Sequence, residues 1–285
     1  MKGYFNSAIT RIRPAFRMLF RKDMTGTSWV PEILKLADKN AQYASQLAKD
    51  PGRIYPPLLR KRDYPDAILK EYGIDVIRLE ECFEKSLPPP KRFLQWLIQN
   101  PSKMSWPKID LLIENQEILI YREKLFGQHG KAIQQETMDR ALRELHEYGV
   151  MESKDKWWAF EGFTEIDCYL ETDRLILLIE GKRKEPLANS TAWYRGRNQL
   201  LRNLEVAREA CGDKDFVVVV ISESRIDPIT PQVIERGLPH FSVEERKELI
   251  GHYVGNMLWR DFCKATDISY DDLPVTTSDA ITGMK

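Results

Sequence analysis

Two continuous apolar runs, separated by a segment with helical spacing, constrain the fold of this chain more than any other feature. Residues 175–180 are apolar until Glu180, and residues 216–221 contain four consecutive valines. Strands without polar alternation are typical of sheets that are covered on both faces. Between the two runs, residues 191–211 carry leucine and alanine side chains at helical spacing. These segments predict a strand–helix–strand crossover that joins parallel strands of a buried sheet.

A further strand is predicted over residues 163–170, directly before the first apolar run. Its side chains alternate between faces, so that Glu165 and Asp167 share a polar face. The polar residues that follow predict a turn that returns the chain antiparallel. This pairing brings Glu180 close to Asp167, and Lys182 shares the face of Glu180 because it follows two residues later. Two carboxylates and an ammonium group are therefore expected together at the end of a buried strand.

Helices dominate the predictions for the rest of the chain. An amphipathic helix is predicted over residues 130–149 and another near residues 243–264, with a short aromatic strand at residues 157–160. The predicted organisation is a mostly helical N-terminal region (1–126), an α/β core that ends with a helix (127–270), and a flexible polar tail (271–285).

The composition is that of an ordinary soluble globular protein. Hydrophobic residues make up 42% of the chain, and 43 Lys and Arg balance 43 Asp and Glu. A net charge of zero weighs against coating nucleic acid by bulk charge, but it leaves a local basic groove open. No apolar stretch approaches the roughly 18 residues of a membrane span, so no membrane partner is expected. Dispersed cysteines without a CxxC pair fit a reducing cytoplasm.

The N-terminus is basic, and no acidic residue precedes Asp23. Three interpretations stay open for this segment. The pattern is typical of a short basic helix broken near Pro14, and it is also compatible with an arm that binds phosphates or with a transit peptide.

The predicted hairpin gathers the groups that metal-assisted phosphodiester hydrolysis needs. A Mg²⁺ ion held by Asp167 and Glu180 can lower the pKa of a bound water and polarise the phosphorus, and Mn²⁺ is an expected substitute. Lys182 can orient this water and offset the negative charge that grows in the transition state. Gly181 is expected to leave room for its carbonyl group to approach the metal. The alternative is a surface ion pair between Glu180 and Lys182, which would contribute little stability.

This arrangement resembles the PD-(D/E)xK nuclease superfamily, which has the restriction-endonuclease-like fold. The resemblance spans roughly residues 130–221 and rests on the order helix, three strands, helix, strand, together with Asp167 and the Glu180-Gly181-Lys182 motif. It implies an α/β fold with a mixed sheet flanked by helices, and catalytic roles for Asp167, Glu180 and Lys182. One departure from the family pattern is Ile166, which stands before Asp167 where the motif has proline.

The RecB-like and Holliday-resolvase-like branches of this superfamily suggest further site residues. They often carry a glutamine on the helix after the motif, and Gln199 stands at that place. They also often carry a glutamate on the first helix, for which Glu136 is the best match and Glu144 an alternative. Glu165 is a further candidate metal ligand because it shares the predicted face of Asp167.

Basic residues interleaved with aromatic ones follow the motif and predict contacts with a nucleic-acid backbone. Lys184, Arg195 and Arg197 are the candidates, with Trp193 and Tyr194 among them. The alternative is a solvated helix face with a buried Trp193.

The resemblance implies a Mg²⁺-dependent deoxyribonuclease that acts in DNA repair, restriction or defence. One alternative is a catalytically inactive nucleic-acid-binding or assembly protein that keeps the nuclease fold. Another is a different metal-dependent enzyme or a purely structural α/β domain. DNA is the expected partner, with RNA also open, and a homodimer or a protein partner bound through the N-terminal region stays open as well.

Overall fold

A four-stranded mixed sheet lies at the centre of the computed structural model, which describes residues 6–54, 84–105, 116–153, 156–183 and 185–282. The strands in chain order are β1 (Lys85–Leu87), β2 (Thr164–Ile166), β3 (Cys168–Glu171), β4 (Leu175–Gly181), β5 (Asp215–Ser222) and β6 (Tyr253–Leu258). Strands β3 to β6 form the central sheet in that order, and β1 pairs with β2 in a separate antiparallel ladder. The predicted mixed α/β fold is therefore confirmed.

Helices surround the sheet, and a π-helical turn at Ala8–Ile12 precedes the first of them. The α-helices are α1 (Arg13–Lys22), α2 (Val30–Lys35), α3 (Ala41–Leu47), α4 (Lys91–Gln99), α5 (Gln116–Leu125), α6 (Lys131–Tyr148), α7 (Gln199–Ala210), α8 (Pro231–Gly237), α9 (Val243–Ile250), α10 (Trp259–Thr266) and α11 (Thr277–Thr282). Among the described residues, no helix is long and apolar enough to cross a membrane.

The predicted crossover is confirmed, because β4 and β5 pair in parallel and α7 connects them. Both strands are buried on both faces, which explains their continuous apolar sequence. One face, here called the α1 face, carries Leu177 and Val219 against α1, α2 and α10. The opposite α7 face carries Leu178 and Val220 against apolar side chains of α7. The helices of residues 8–47 thus belong to the core of the sheet.

A third apolar cluster lies apart from the sheet and joins α4, α5 and α6. Phe93 and Leu97 pack there with Ala141 and Leu145. The boundary predicted between residues 126 and 127 falls inside this cluster, since its members come from both sides of that point.

Two of the predicted elements near the sheet are wrong in their extent. The strand predicted over residues 163–170 breaks at Asp167, because β2 pairs with β1 whereas β3 pairs with β4. The break reverses the alternation, and Ile166 packs on the α7 face while Cys168 packs on the α1 face. The helix predicted over residues 191–211 begins only at Gln199.

Two further predictions, of a helix and of a strand, are corrected in the rest of the chain. Strand β6 interrupts the helix predicted near residues 243–264. Residues 157–160 form turns and no strand, and the indole groups of Trp157 and Trp158 both donate to Glu144 Oε2. The tail predicted to be flexible contains α11, and Leu273 is buried in the core of the α1 face.

The basic N-terminal segment forms a helix that Pro14 does not break. Pro14 lies in the first turn of α1, where a missing N–H group costs no helical hydrogen bond. Phe16, Leu19 and Phe20 from this helix are buried against the sheet. The segment is therefore part of the core.

Candidate active site

The predicted trio converges where β4 reaches its carboxyl end. Glu180 points to the α7 face and is only 2% exposed, and Lys182 is 8% exposed. The Lys182 Nζ atom lies 2.8 Å from Glu180 Oε1. The main chain of Lys182 is also fixed, because its N–H group donates to the Ile221 carbonyl at 2.8 Å and its carbonyl accepts from Trp259 Nε1 at 3.0 Å. The ion pair is thus buried in the fold, unlike the surface pair that was the alternative.

Asp167 reaches this cluster from the bend between β2 and β3. Its Oδ2 atom accepts a hydrogen bond from the Gly181 main-chain N–H at 2.9 Å, and its carboxyl group lies within hydrogen-bonding reach of Glu180. Burial and the negative charge of Glu180 raise the pKa of Asp167 to about 8, because the Gly181 N–H and the Lys182 charge offset them only in part. The site therefore contains two carboxyl groups that resist being ionised together.

Helix α7 supplies two amides that hold Glu180. Gln199 Nε2 donates to Glu180 Oε1 at 2.7 Å, and Asn203 Nδ2 donates to Glu180 Oε2 at 3.0 Å. Asn198 caps this helix by accepting from the N–H groups of Leu200 and Leu201, so Gln199 is the first helical residue. Asp167, Glu180, Lys182, Gln199 and Asn203 are called the Glu180 cluster below.

Asn203 is a site residue that the sequence prediction missed. It lies four residues after Gln199, and this spacing places both amides on the same side of α7. Asn203 is 1% exposed, and its Oδ1 atom has no hydrogen-bond partner among the residues that the structure describes. The helical spacing from Gln199 was the available signal.

Gly181 is required by packing, and its predicted role toward a metal stays a prediction. A Cβ atom at this position would lie 2.7 Å from Ile12 Cγ1, which is closer than side chains approach one another. The glycine therefore lets the N-terminal helical segment pack directly against the strand that carries Glu180.

Two predicted metal ligands do not join the Glu180 cluster. Glu165 is exposed and accepts a hydrogen bond from Ser86 Oγ at 2.7 Å, because the break at Asp167 turns it away from the predicted face. Glu136 is exposed on α6, which packs against α4 and α5 in the third apolar cluster. The alternative Glu144 accepts from Arg140 Nε at 2.6 Å and from two indole groups.

The predicted phosphate contact of Arg197 is wrong, because its side chain is entirely buried. Arg197 Nε donates to both carboxylate oxygens of Glu161 at 3.0 Å, and Nη1 donates to Glu205 Oε2 at 2.7 Å. His240 Nε2 lies 2.5 Å from Glu205 Oε1. These four residues are called the Arg197 cluster below, and Glu205 belongs to the same helix as Gln199 and Asn203.

The other predicted nucleic-acid contacts have different outcomes. Arg195 is exposed in the loop before α7. Lys184 lies outside the described residues. Trp193 packs edge-on against Phe160, with ring centroids 4.9 Å apart, and belongs to the third apolar cluster, as its structural interpretation predicts.

The donor set of the Glu180 cluster suits a hard divalent cation. Within the described part of the chain, no group of three or more His, Cys, Asp or Glu residues could hold a metal ion, so an ion at this site would be held by fewer such side chains. Mg²⁺ is commonly held by one or two carboxylates, with water and substrate phosphate completing its shell. Asp167 and Glu180 supply two adjacent carboxyl groups, and the unpartnered Oδ1 atom of Asn203 adds a nearby oxygen.

The comparisons with known proteins add no relative. No family model, curated protein or solved structure matches this chain.

Proposed function

We propose that this protein is a metal-dependent nuclease that hydrolyses DNA phosphodiester bonds, with the Glu180 cluster as its catalytic centre. The observation that carries the proposal is the buried Glu180 carboxylate, which is contacted by Lys182, Gln199 and Asn203 and lies beside the Asp167 carboxyl group. The resemblance to the PD-(D/E)xK superfamily supports it, because four of the residues that the resemblance singles out are neighbours in space.

The electrostatics of the Glu180 cluster also support this function. Burial and the negative charge of Glu180 raise the pKa of Asp167, and the positive charge of Lys182 offsets them only in part. A divalent cation would relieve this repulsion. Asp167 and Glu180 would hold Mg²⁺, which supplies a water of lowered pKa and neutralises charge on the phosphate.

The remaining residues of the cluster have separate roles in the proposed reaction. Lys182 carries a positive charge at the mouth of the site, where it stabilises the negative charge that develops on the scissile phosphate. Gln199 and Asn203 each hold one oxygen of Glu180, so they fix the carboxylate before any ligand arrives. The cap formed by Asn198 anchors the first turn of α7 and thereby positions Gln199.

The proposed partner is DNA, bound through local contacts near the site rather than through bulk charge. The net charge of zero and the burial of Arg197 leave Arg195 as the predicted backbone contact that is exposed among the described residues. The proposed compartment is the cytoplasm, where Cys168 and Cys263 would stay reduced as the structure has them.

A cleavage assay tests this function against the alternative of an inactive binding protein. Supercoiled plasmid, linear DNA and single-stranded RNA are incubated with Mg²⁺, with Mn²⁺ or with chelator. We expect metal-dependent cleavage that falls roughly 100- to 1,000-fold in Asp167→Asn and in Lys182→Ala. Glu165→Gln and Glu136→Gln are matched controls, since both glutamates are exposed and lie apart from the cluster.

Two results would count against the proposal. Cleavage that persists in both Asp167→Asn and Lys182→Ala would locate the activity elsewhere. Tight DNA binding by the wild-type protein without cleavage in any metal would favour the inactive binding protein.

A further inference from the structure

A cavity of about 380 Å³ lies beside the Glu180 cluster, and Lys182 forms part of its wall. Ser222 and Ser224 line it from the carboxyl end of β5, and Asn189 and Asn198 line it from the loop that leads into α7. In α/β sheets with parallel strands, ligands bind in the crevice outside the carboxyl ends of the strands. The cavity therefore occupies a position that suits substrate.

One side of this cavity is apolar. Leu187, Ile226, Ile229 and Val233 contribute to its lining, together with Pro228. Charged side chains line the cavity as well, from Arg183, Glu185, Arg225 and Asp227, so its lining is mixed. The apolar residues suit the ring of a base, and the cationic side chains suit the phosphate joined to it.

The polar side of the cavity contains hydrogen-bonding groups on a rigid support. Asn198 is 3% exposed, and it is held by the cap of α7. Its Nδ2 atom donates to Asn189 Oδ1 at 2.7 Å. The amide N–H groups of Asn189 have no hydrogen-bond partner within the described part of the chain, and the residue is exposed. These N–H groups can donate to the acceptors of a nucleobase.

The size of the cavity restricts what can enter it. Ligand pockets of roughly 300 Å³ or more hold small organic molecules, and one nucleotide falls in this range. A base pair within a duplex is too large, so a base has to leave the stack before it can enter a pocket of this kind. Because Lys182 lines both the cavity and the proposed catalytic centre, the bound nucleotide would adjoin the scissile phosphate.

We infer that this cavity receives one unpaired nucleotide next to the scissile phosphate, and that the substrates are single-stranded segments, flaps or frayed strand ends. This inference rests on the proposed nuclease function and narrows it. Intact duplex DNA would bind and react poorly, because the cost of unstacking and unpairing a base would be added to that of binding.

The test fills the cavity and compares binding with cleavage. Ser224→Trp introduces a large ring at an exposed residue of the lining, and Asp227→Trp does so from a second exposed position. Ser102→Trp is the matched control, because Ser102 is exposed and follows α4, beside the third apolar cluster. Thermal melting of all three variants checks that each of them folds.

Binding is measured by fluorescence anisotropy in the Asp167→Asn background, so that it is independent of cleavage. The probes are a labelled 12-nucleotide single-stranded DNA, its duplex, and single-stranded RNA of the same sequence. We expect the single strand to bind at least about tenfold more tightly than the duplex. Ser224→Trp and Asp227→Trp should each weaken binding of the single strand at least about tenfold. Ser102→Trp should leave it unchanged, and the RNA probe shows whether the cavity accepts both sugars.

The outcomes separate this inference from the proposed function. Metal-dependent cleavage with equal affinity for single strand and duplex, unaffected by either cavity-filling variant, would overturn the cavity inference alone. Cavity-dependent binding of the single strand without cleavage by the wild-type protein would overturn the nuclease proposal and support the cavity as a nucleotide site. Cleavage and single-strand binding that are lost in both cavity-filling variants, but kept in Ser102→Trp, support both.

Discussion

The Glu180 cluster and the Arg197 cluster are two groups of buried charge that both include side chains of α7, and they differ in how their charges are paired. In the Arg197 cluster, one guanidinium group is shared between Glu161 and Glu205, and His240 makes a second contact with Glu205. In the Glu180 cluster, Lys182 pairs with Glu180, and the Asp167 carboxyl group lies beside that pair.

The pKa shifts do not all run one way within the Arg197 cluster. Burial acts to raise the pKa of Glu205, but Arg197 and His240 outweigh it and the net shift is downward. Burial and the charge of Glu205 raise the pKa of Glu161 despite Arg197, and burial and Glu180 raise the pKa of Asp167 to about 8 despite Lys182. The clusters differ in geometry, because Arg197 hydrogen-bonds both of its carboxylates, whereas Asp167 makes no ion pair within the described part of the chain. We propose that the first cluster is structural and the second a cation site.

The largest expected effect is on stability and concerns Arg197. Arg197→Met leaves Glu161 and Glu205 buried without their cation, and we expect the free energy of unfolding to fall by about 3–5 kcal/mol. Urea denaturation measures this change. A loss below about 1 kcal/mol would show that the Arg197 cluster does not have the structural role that its burial indicates.

The second effect is on catalysis and concerns Lys182. Lys182→Met should reduce cleavage roughly 100- to 1,000-fold, because charge stabilisation at the scissile phosphate is lost. Its free energy of unfolding should fall by less than that of Arg197→Met, since Gln199 and Asn203 still hold Glu180. Parallel single-turnover cleavage and urea denaturation of both variants give the comparison. If Lys182→Met is the less stable variant, the two clusters do not have the distinct roles proposed here.

The third effect concerns the amide that supports Glu180 from α7. Asn203→Ala removes the hydrogen bond to Glu180 Oε2, and we expect Mg²⁺ affinity to fall by roughly 10- to 100-fold, as it does when supporting contacts of metal ligands are lost. Isothermal titration calorimetry measures the affinity. An unchanged affinity would show that Asn203 contributes only to packing.

The fourth effect is a dependence of Mg²⁺ affinity on pH, which the raised pKa of Asp167 should cause. Below pH 8 the metal-free protein holds a proton on Asp167, which a cation has to displace, so Mg²⁺ affinity should rise by up to about tenfold per pH unit between pH 6 and 8 and then level off. In the metal-free protein, the raised pKa of Asp167 stabilises the folded state at low pH. This contribution is complete below the unfolded pKa of 3.8 and is lost as the pH rises through about 8. Asp167→Asn should abolish the trend in affinity, as measured by calorimetry, and reduce the trend in stability, to which Glu161 and Glu209 also contribute, as measured by denaturation.

Local pattern was sufficient to predict the strands that carry the site. The apolar runs of β4 and β5 are visible in the local sequence, whereas Gln199 was singled out by the resemblance to the PD-(D/E)xK superfamily. The face of Glu165 was not predictable in this way, because Asp167 interrupts the alternation where the chain changes from one ladder to another. That change depends on pairing with β1, which lies about 80 residues earlier in the chain.

Long-range burial explains the other errors. Arg197 belongs to a basic and aromatic segment that suggested a nucleic-acid contact. In the fold it pairs with Glu161, and His240 contacts Glu205, the second partner of Arg197. Glu161 and His240 come from other parts of the chain, so the local pattern did not reveal this pairing. Asn198 was a readable N-cap, and it would have placed Arg197 outside the predicted helix. Gly255 lies inside the helix predicted near residues 243–264, and a glycine there was a readable signal against a helix. In β6 it adopts a φ of 116°, which a glycine accommodates without strain.

Mn²⁺ binding tests most directly whether the Glu180 cluster is a cation site. Electron paramagnetic resonance of free Mn²⁺ gives the number of bound ions and their affinity, and it needs no substrate. The account predicts at least one bound Mn²⁺ per chain, with affinity at least about tenfold weaker in Asp167→Asn and unchanged in Glu136→Gln. Equal affinity in wild-type protein and Asp167→Asn, or no binding at millimolar Mn²⁺, would contradict it.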